Sequence, residues 1–402
     1  MQTTLLQTKL HIPTARQKRV ARPRLLARLE QGLIRKLILV STPAGFGKTC
    51  LLAGWLGNLS SPLRVGWLSL DESDNDPETF MQYLAAALDL DDVTRLLGDV
   101  SSSSAQVTPF LTEILNRLAA DESKILLVLD DFHFISNPAI HEAMEFILEH
   151  APAHFHLALL TRVDPPLPLA RLRSRDQMVE LRAEDLRFSI SEATDFLNQV
   201  MGLDIPDEGI ANLERRTEGW ITGLQMAALS IQGHKDVAGF INAFTGSHRF
   251  ILDYLTEEVL NRQPEAVRDF LLQTSVLDRF HAPLCQAVTD CADAQAMLNR
   301  LEDANLFLVP LDDERGWYRY HHLFADLLRA ALRQQNPHLP DELRRKAAHW
   351  CSENDLLEDA IEYALAARDD AFAAGQIEKV VRAMLVFDNR DTLRNWIDRL
   401  PP

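Results

Sequence analysis

The chain has 402 residues, a length that suits two to four domains with hydrophobic cores of their own. Apolar residues make up 47% and charged residues 25%, the balance of an ordinary globular protein. A net charge of −17 at pH 7 excludes wide contact with a polyanion, because phosphate backbones need clustered Lys and Arg. The four cysteines, Cys50, Cys285, Cys291 and Cys351, form no C-x-x-C pair and read as buried, reduced thiols. The start, MQTTLLQTKLHIP, lacks a basic stretch followed by an apolar run, so it does not read as a signal peptide. No apolar stretch reaches the ~20 residues of a membrane helix, and the expected location is the cytoplasm.

In chain order, KLILVS (36–41) is a short apolar run ending in a turn, which predicts a fully buried strand. The loop after it leads into a helix through TCLLAGWLGNL. RVGWLSL (64–70) predicts a second strand, and PETFMQYLAAALDL (77–90) a helix with Pro77 in its first turn. The serine run at 101–104 predicts a loop, and 108–120 a helix with Phe110, Leu111, Ile114, Leu115 and Leu118 on one face. KILLVLDD (124–131) is the clearest strand. Pro138 starts a helix running to about Glu149. HFHLALLTR (154–162) and QMVEL (177–181) complete the strands. Apolar strands alternating with helices predict a parallel sheet covered on both faces.

Beyond about residue 185, helical patterns take over. SISEATDFLNQV reads as a helix with Ser191 as cap and Thr194 at the position where a capping box carries Glu. TEGWITGLQMAALSIQ and RFILDYLTEEVLNRQ read as amphipathic helices. FLVPLDDERGWYRYH gives two β-like runs around an acidic turn, the shape of a winged-helix hairpin. Asp312, Asp313 and Glu314 in that turn repel phosphate, so no DNA contact is expected from it. From 340 onward the chain is helical, with alanines at packing positions. With the glycine-bearing loop TPAGFGKT (42–49) standing between the first strand and its helix, the predicted fold is α/β, a P-loop NTPase parallel sheet with helices on both faces, followed by a helical domain, a winged-helix domain and an α-helical arm. The expected boundaries are 1–185 for the nucleotide-binding domain, 186–245 for a helical lid, 246–335 for the winged helix and 336–402 for the arm.

The chemistry is concentrated between Thr42 and Thr49. A tight turn at a helix N-terminus aims backbone N–H groups at phosphate oxygens, and small residues let the backbone come close. Pro43, Ala44, Gly45, Phe46, Gly47, Lys48, Thr49 and Cys50 make up this cradle and the opening of its helix. Lys48 would reach the β- and γ-phosphates, and Thr49 would hold Mg²⁺. Thr42 stands where the general pattern carries the first Gly. Asp130 and Asp131 end the strand that would lie opposite. One carboxylate there can hold the magnesium shell, and the other can orient or deprotonate a water. The competing reading is a strand end with two solvated acids. Arg162 ends the next strand and can sense the γ-phosphate; the alternative is a surface arginine paired with Asp164. Asp71, Glu72 and Asp74 read as a solvated polar turn, and His133, His154 and His156 show no ligand spacing. No metal site beyond Mg²⁺ is expected.

Taken together, these blocks resemble the large ATP-binding LuxR-type transcriptional regulators of MalT type, within the STAND class of signal-transduction ATPases. LLQTKLHIP, VARPRLLARL, TPAGFGKT, WLSLDESDNDPETF, LVLDDFHFI, LLTRVDPPLPLARLRSRDQMVEL, EGWITGLQMAALS, YLTEEVL, FLLQTSVL and YRYHHLF carry the resemblance over nearly the whole chain. It implies that Thr42 is a family trait. It implies that Val20 and Arg22 lie by the adenine, and that Arg162 is a sensor. It places Gly223, Leu224 and Gln225 over the base, with Gln225 where many relatives have Pro. It gives His321 the β-phosphate of ADP in the resting state; His322 stands where the family often has Pro, so either imidazole can serve. A core histidine bonded to backbone is the alternative for His321.

The function so implied is an ATP/ADP switch. ADP holds the resting state, ATP plus an inducer drives self-association, and slow hydrolysis resets the switch. The inducer would act through a sensor region, and DNA would be bound by a helix-turn-helix; this chain stops at RLPP before either. The alternatives are a nucleotide-stabilised scaffold, or a STAND ATPase controlling an effector that is not transcriptional.

Overall fold

The computed structural model describes residues 5–14, 18–59, 63–90, 92–93, 104–232, 236–244, 248–289, 291–312, 314, 316–386 and 390–400. Five apolar segments pair in it as one parallel sheet. They are β1 (Leu37–Ser41), β2 (Arg64–Ser69), β3 (Ile125–Asp130), β4 (Phe155–Thr161) and β5 (Met178–Leu181), in the order β2-β3-β4-β1-β5. The three central strands are buried at every position. Unbroken apolar runs are what a sheet covered on both faces demands, as the sequence predicts. Leu37, Leu39, Ile125, Leu127, Leu129, Leu157 and Leu159 share one core with the helices Pro77–Ala87, Ser104–Ala120 and Pro138–His150. The alternate residues Ile38, Val40, Leu126, Val128, Ala158 and Leu160 are equally buried on the other face. The helix Pro23–Gly32 approaches there so closely that a Cβ on Gly32 would stand 2.3 Å from Ile38.

The strand order matters for the chemistry. β4 pairs with both β1 and β3, so the strand bearing Arg162 at its end separates the strand before the loop from the strand before the acids. All three run parallel and deliver their carboxyl ends to one edge, where ligands of open α/β sheets bind.

The described residues form two compact units. The first is Met1–Arg215 with Gly219–Val237, and the second is Arg216–Glu218 with Ala238–Pro402. The first therefore holds the sheet and also the short helices Ile190–Thr194, Asp207–Thr217 up to its break, and Ile221–Ile231. The start of this helical part differs from the expected cap. Ser189, not Ser191, is the N-cap: its Oγ accepts from the Glu192 amide at 3.2 Å, and Glu192 accepts from the Ser189 amide at 3.0 Å. The Glu sought at position 194 sits two residues earlier, and the capping box is complete. Ser189→Ala is expected to cost about 1 kcal/mol, read as a lower midpoint in urea denaturation. The helix expected from Thr217 begins only at Ile221, because Glu218 (φ 49°) and Gly219 (φ 67°) turn through the left-handed region.

In the second unit, β6 (Leu308–Pro310) and β7 (Tyr318–Tyr320) pair antiparallel, as the acidic-turn pattern predicts. Asp312 holds the turn by accepting from the amides of Gly316 and Trp317 at 2.7 and 2.9 Å; Asp313 lies outside the described residues. The helices Glu265–Thr274, Ala282–Thr289 and Ala294–Asp303 precede the hairpin, and Phe280 bridges to Tyr318. Tyr320 is buried, with its hydroxyl 2.7 Å from the Thr274 hydroxyl. The arm consists of Leu339–Glu353, Leu357–Ala366, Asp370–Val386 and Arg390–Asp398, packed in part through Ala347, Ala348, Ala360 and Ala364. The serine run at 101–103 lies outside the described residues, while Ser104 opens a helix. Of the four thiols, Cys285 and Cys351 are buried, but Cys50 is exposed, contrary to the expectation. Burial pushes the Cys351 thiol up to about 12. No described helix is long and apolar enough to cross a membrane.

Candidate functional site

The loop after β1 turns through Gly45 and Gly47, both at φ 79°, a conformation that a Cβ strains. Gly47 is the N-cap of the helix Lys48–Leu56. The first-turn N–H groups of that helix have no intrahelical acceptor, and the positive end of the helix dipole lies at this end. Thr42, Pro43, Ala44, Phe46 and Lys48 are buried; Cys50 points outward. Lys48 is 7% exposed, and its ammonium donates to the carbonyls of Thr42 at 2.8 Å and Pro43 at 3.1 Å. Burial lowers it to about 8, against the pull of Asp131; Arg162 also lowers it.

Asp130 closes the opposite side. The Thr49 hydroxyl donates to its carboxylate at 2.9 and 3.1 Å, and the Asp131 amide donates at 3.0 Å. Burial raises Asp130 to about 6, with the charge of Asp131 adding to the effect. The alternative of a solvated strand end fails for Asp130, which is only 3% exposed. Asp131, at φ 57°, turns its carboxylate to a half-open position 3.7 Å from His133 Nδ1. Thr49 and Asp130 thus supply two hard oxygens side by side, a set that fits Mg²⁺, which keeps several waters and takes the rest of its shell from phosphate. A buried ammonium held by two carbonyls and the Thr42 hydroxyl, and a carboxylate raised by burial and by its neighbour, are both groups that phosphate and a divalent cation would relieve.

Arg162 follows β4 directly. Asp164, its alternative partner, is engaged by Ser41 at 2.7 Å and by a bidentate Arg182. The turn after β2 is exposed at Asp71 and Glu72, as expected, but not at Asp74. Asp74 is fully buried and, with Asp71, binds the Lys9 ammonium at 2.7 and 2.8 Å, tying the N-terminal segment to the sheet. His154 and His156 donate to the carbonyls of Leu118 and Arg35. Among the described residues, no group of three or more His, Cys, Asp or Glu stands together as a metal site.

Arg22 is buried and fully committed. It pairs with Glu192 through Nε and NH2 at 3.1 Å each, and donates to the carbonyls of Leu186 at 2.9 Å and Arg187 at 2.8 Å. Its guanidinium also lies 4.9 Å from the Phe188 ring centroid. It clamps the chain preceding the loop to the start of the helical part, and Val20 lies two residues before it, half-buried. Gly223 and Leu224 are buried and Gln225 is half-buried on the helix Ile221–Ile231.

The first turn of that helix carries contacts that sequence reasoning missed. The Trp220 indole N–H donates to the Ala44 carbonyl at 3.1 Å, and the Thr222 hydroxyl donates to the Gly45 carbonyl at 2.9 Å. The only signal was the segment EGWIT itself, in which the fully buried Trp220 stands just before the helix and outside its period.

In the second unit, His321 is 2% exposed, and its Nε2 donates to the Thr217 carbonyl at 2.8 Å. Glu218 beside it accepts from Arg319 at 2.8 and 3.0 Å and from the His322 amide at 3.0 Å. The His322 ring is largely exposed, with Nδ1 3.1 Å from Glu218.

Comparison with known proteins bears on this arrangement. Residues 256–340 match the model of the MalT winged helix domain. The chain is 34% identical over 405 residues to the HTH-type transcriptional regulator MalT of Vibrio cholerae, covering 99% of this chain and 44% of that protein. It is 38% identical over 378 residues to the MalT of Serratia proteamaculans, covering 91% and 41%. It is also 32% identical over 392 residues to the serine/threonine-protein kinase PknK of Mycobacterium tuberculosis, covering 95% and 35%. The chain therefore spans less than half the length of these relatives. Among solved structures, a Walker-type ATPase of Pyrococcus abyssi aligns with 81% of this chain and all of its own, at a TM-score of 0.54 and 17% identity, and shares the fold.

Proposed function

We propose that this chain, homologous over nearly its whole length to part of the MalT-type regulators, is an ATP-binding switch that hydrolyses ATP slowly in the cytoplasm. The observation that carries the reading is the meeting of three strand ends. The Gly45–Thr49 cradle, the Thr49–Asp130 pair and Arg162 all stand at the carboxyl edge of one sheet. Lys48 and the first-turn amides would take the phosphates. Thr49 and Asp130 would hold Mg²⁺, which would supply positive charge to offset that of the phosphates. Asp131, half-open to solvent, would orient the attacking water and receive its proton. Arg162, from the strand between, would register the γ-phosphate. Positioning of this kind supports turnover, but without an arginine supplied by a partner it stays slow.

In the same proposal ADP marks the resting state, and ATP with an inducer leads to self-association. His321 and the Gly223–Gln225 segment are assigned to nucleotide retention from the resemblance, as are Val20 and Arg22. The test is ADP release, followed with a fluorescent ADP analogue. His321→Ala is expected to speed release about tenfold, the loss of roughly 1.4 kcal/mol of a charge-assisted hydrogen bond. An unchanged rate removes His321 from the switch. Light scattering in ADP and in ATP would test self-association directly.

A second reading keeps the ATPase and changes the effector. It is favoured by the match to the kinase PknK, in which a region similar to this whole chain accompanies a different activity. The switch would then be a module used by transcriptional and non-transcriptional proteins alike. The residues beyond this region in the gene decide between the two.

A further inference from the structure

We infer that Trp220 and Thr222 are positioning residues of the phosphate cradle, setting the direction of its backbone N–H groups from the helical side. The inference rests on the ATP-site reading above and adds two residues and a mechanism to it. The Trp220 indole N–H donates to the Ala44 carbonyl at 3.1 Å. The Gly45 carbonyl accepts twice, from the Thr222 hydroxyl at 2.9 Å and from the Thr222 amide at 3.1 Å. The packing is close on that side: a Cβ on Gly45 would lie 2.5 Å from Thr222 Oγ1 and 2.8 Å from Trp220 Nε1. A Cβ on Gly47 would lie 3.2 Å from Ile221.

In a trans peptide, the carbonyl and the following N–H point in opposite directions. Holding the Ala44 carbonyl toward Trp220 therefore turns the Gly45 N–H away from it. Holding the Gly45 carbonyl toward Thr222 does the same for the Phe46 N–H. Both N–H groups are thereby aimed to the side opposite the helical segment. This is the stretch that most needs fixing. Gly45 and Gly47 carry no side chain to restrain the backbone, and either peptide can rotate at little cost. A phosphate cradle whose N–H groups are set before the ligand arrives does not spend binding energy on ordering itself. Trp220 is fully buried, so its bond is shielded from competing water. Neither side chain needs to touch the nucleotide to act in this way.

The test compares the wild-type chain with Thr222→Val, Thr222→Ser, Trp220→Phe and Lys48→Ala. Two quantities are read: the dissociation constant of a fluorescent ATP analogue with Mg²⁺, and the melting temperature without nucleotide. Thr222→Val removes only the hydroxyl bond and is expected to weaken binding about tenfold, one hydrogen bond's worth. Thr222→Ser restores the donor and is expected to bind within about twofold of wild type. Trp220→Phe keeps an aromatic ring, loses the N–H, and is expected to weaken binding by a similar factor. The nucleotide-free melting temperature of each should stay within a few degrees of wild type. If the wild-type chain does not bind ATP, or Lys48→Ala binds equally well, the site reading itself falls. If binding depends on Lys48 but is unchanged in Thr222→Val and Trp220→Phe, this inference is overturned. A loss of affinity that Thr222→Ser does not restore, or that follows a fall in melting temperature, makes these residues structural only and also overturns it.

Discussion

Replacing Asp131 with Asn is expected to lower ATP turnover at least 100-fold while leaving ATP affinity within a few-fold of wild type. A positioned general base contributes roughly 10²–10⁴ to rate. Its loss should appear in kcat, because Lys48, Thr49 and Asp130 remain in place to bind. Asn is the informative substitution. Asp131 sits at φ 57°, and Asn tolerates that region, whereas Ala would add a backbone strain of about 1 kcal/mol. The side chain is open to solvent, as a residue that handles water must be, while Asp130 is shut in by Thr49 and the Asp131 amide. Burial alone thus gives the two acids of one dipeptide different surroundings. Turnover measured by phosphate release decides the matter: a variant that hydrolyses at the wild-type rate takes Asp131 out of the chemistry.

The second large effect is on stability. Glu218→Gln should destabilise the second unit by about 3–5 kcal/mol, because it removes the charge that neutralises the half-buried Arg319 guanidinium. On the order of a 10 °C loss in melting temperature is expected for a unit of this size. Glu218 is at 8% side-chain exposure and Arg319 at 25%, so solvent screens the pair little. Burial by itself raises the Glu218 carboxyl. Arg319, the charge of His321, and the His322 amide outweigh it and bring the group down to about 2. A carboxylate lowered in the folded state contributes stability that is complete above the ordinary carboxyl range. That contribution is lost as pH falls from about 4.5 toward about 2. The wild-type chain should therefore lose stability over this window, and Glu218→Gln should lose less there. Parallel pH profiles of wild type and variant would show that the carboxylate is not responsible.

The local pattern of the chain specified a good deal. Runs such as LILVS and ILLVLD are buried at every residue, as strands of a parallel sheet covered on both faces are. Gly45 and Gly47 marked a tight turn at a helix start, and the chain turns there, through φ 79° at both. The acidic turn between two β-like runs announced the hairpin at 308–320. These features are legible because each depends on residues adjacent in sequence. The cap at Ser189 was misplaced by two residues for the same reason in reverse. The helix start shifts with where the chain arrives, and Ser189 and Ser191 offer equivalent hydroxyls.

Asp71 and Asp74 show the limit more sharply. All three acids of the turn look solvated, yet Asp74 is buried against Lys9, more than sixty residues away, which also pairs with Asp71. Arg22 shows it again. Nothing around it in sequence gave a hint that Glu192 and two distant carbonyls would use its guanidinium. Trp220 and Thr222 are the strongest case, since a hydrogen bond to a carbonyl 176 residues away leaves no mark in either segment's periodicity. The sequence alone determined the tight glycine turn, the lysine and the helix start from which a phosphate cradle is proposed, because these lie in backbone freedom and charge at adjacent positions. Only the tertiary structure decided which side chains hold that backbone in place and which acid is shut away from water. Those outcomes depend on burial and on long-range partners, and neither is a property of any local stretch of chain.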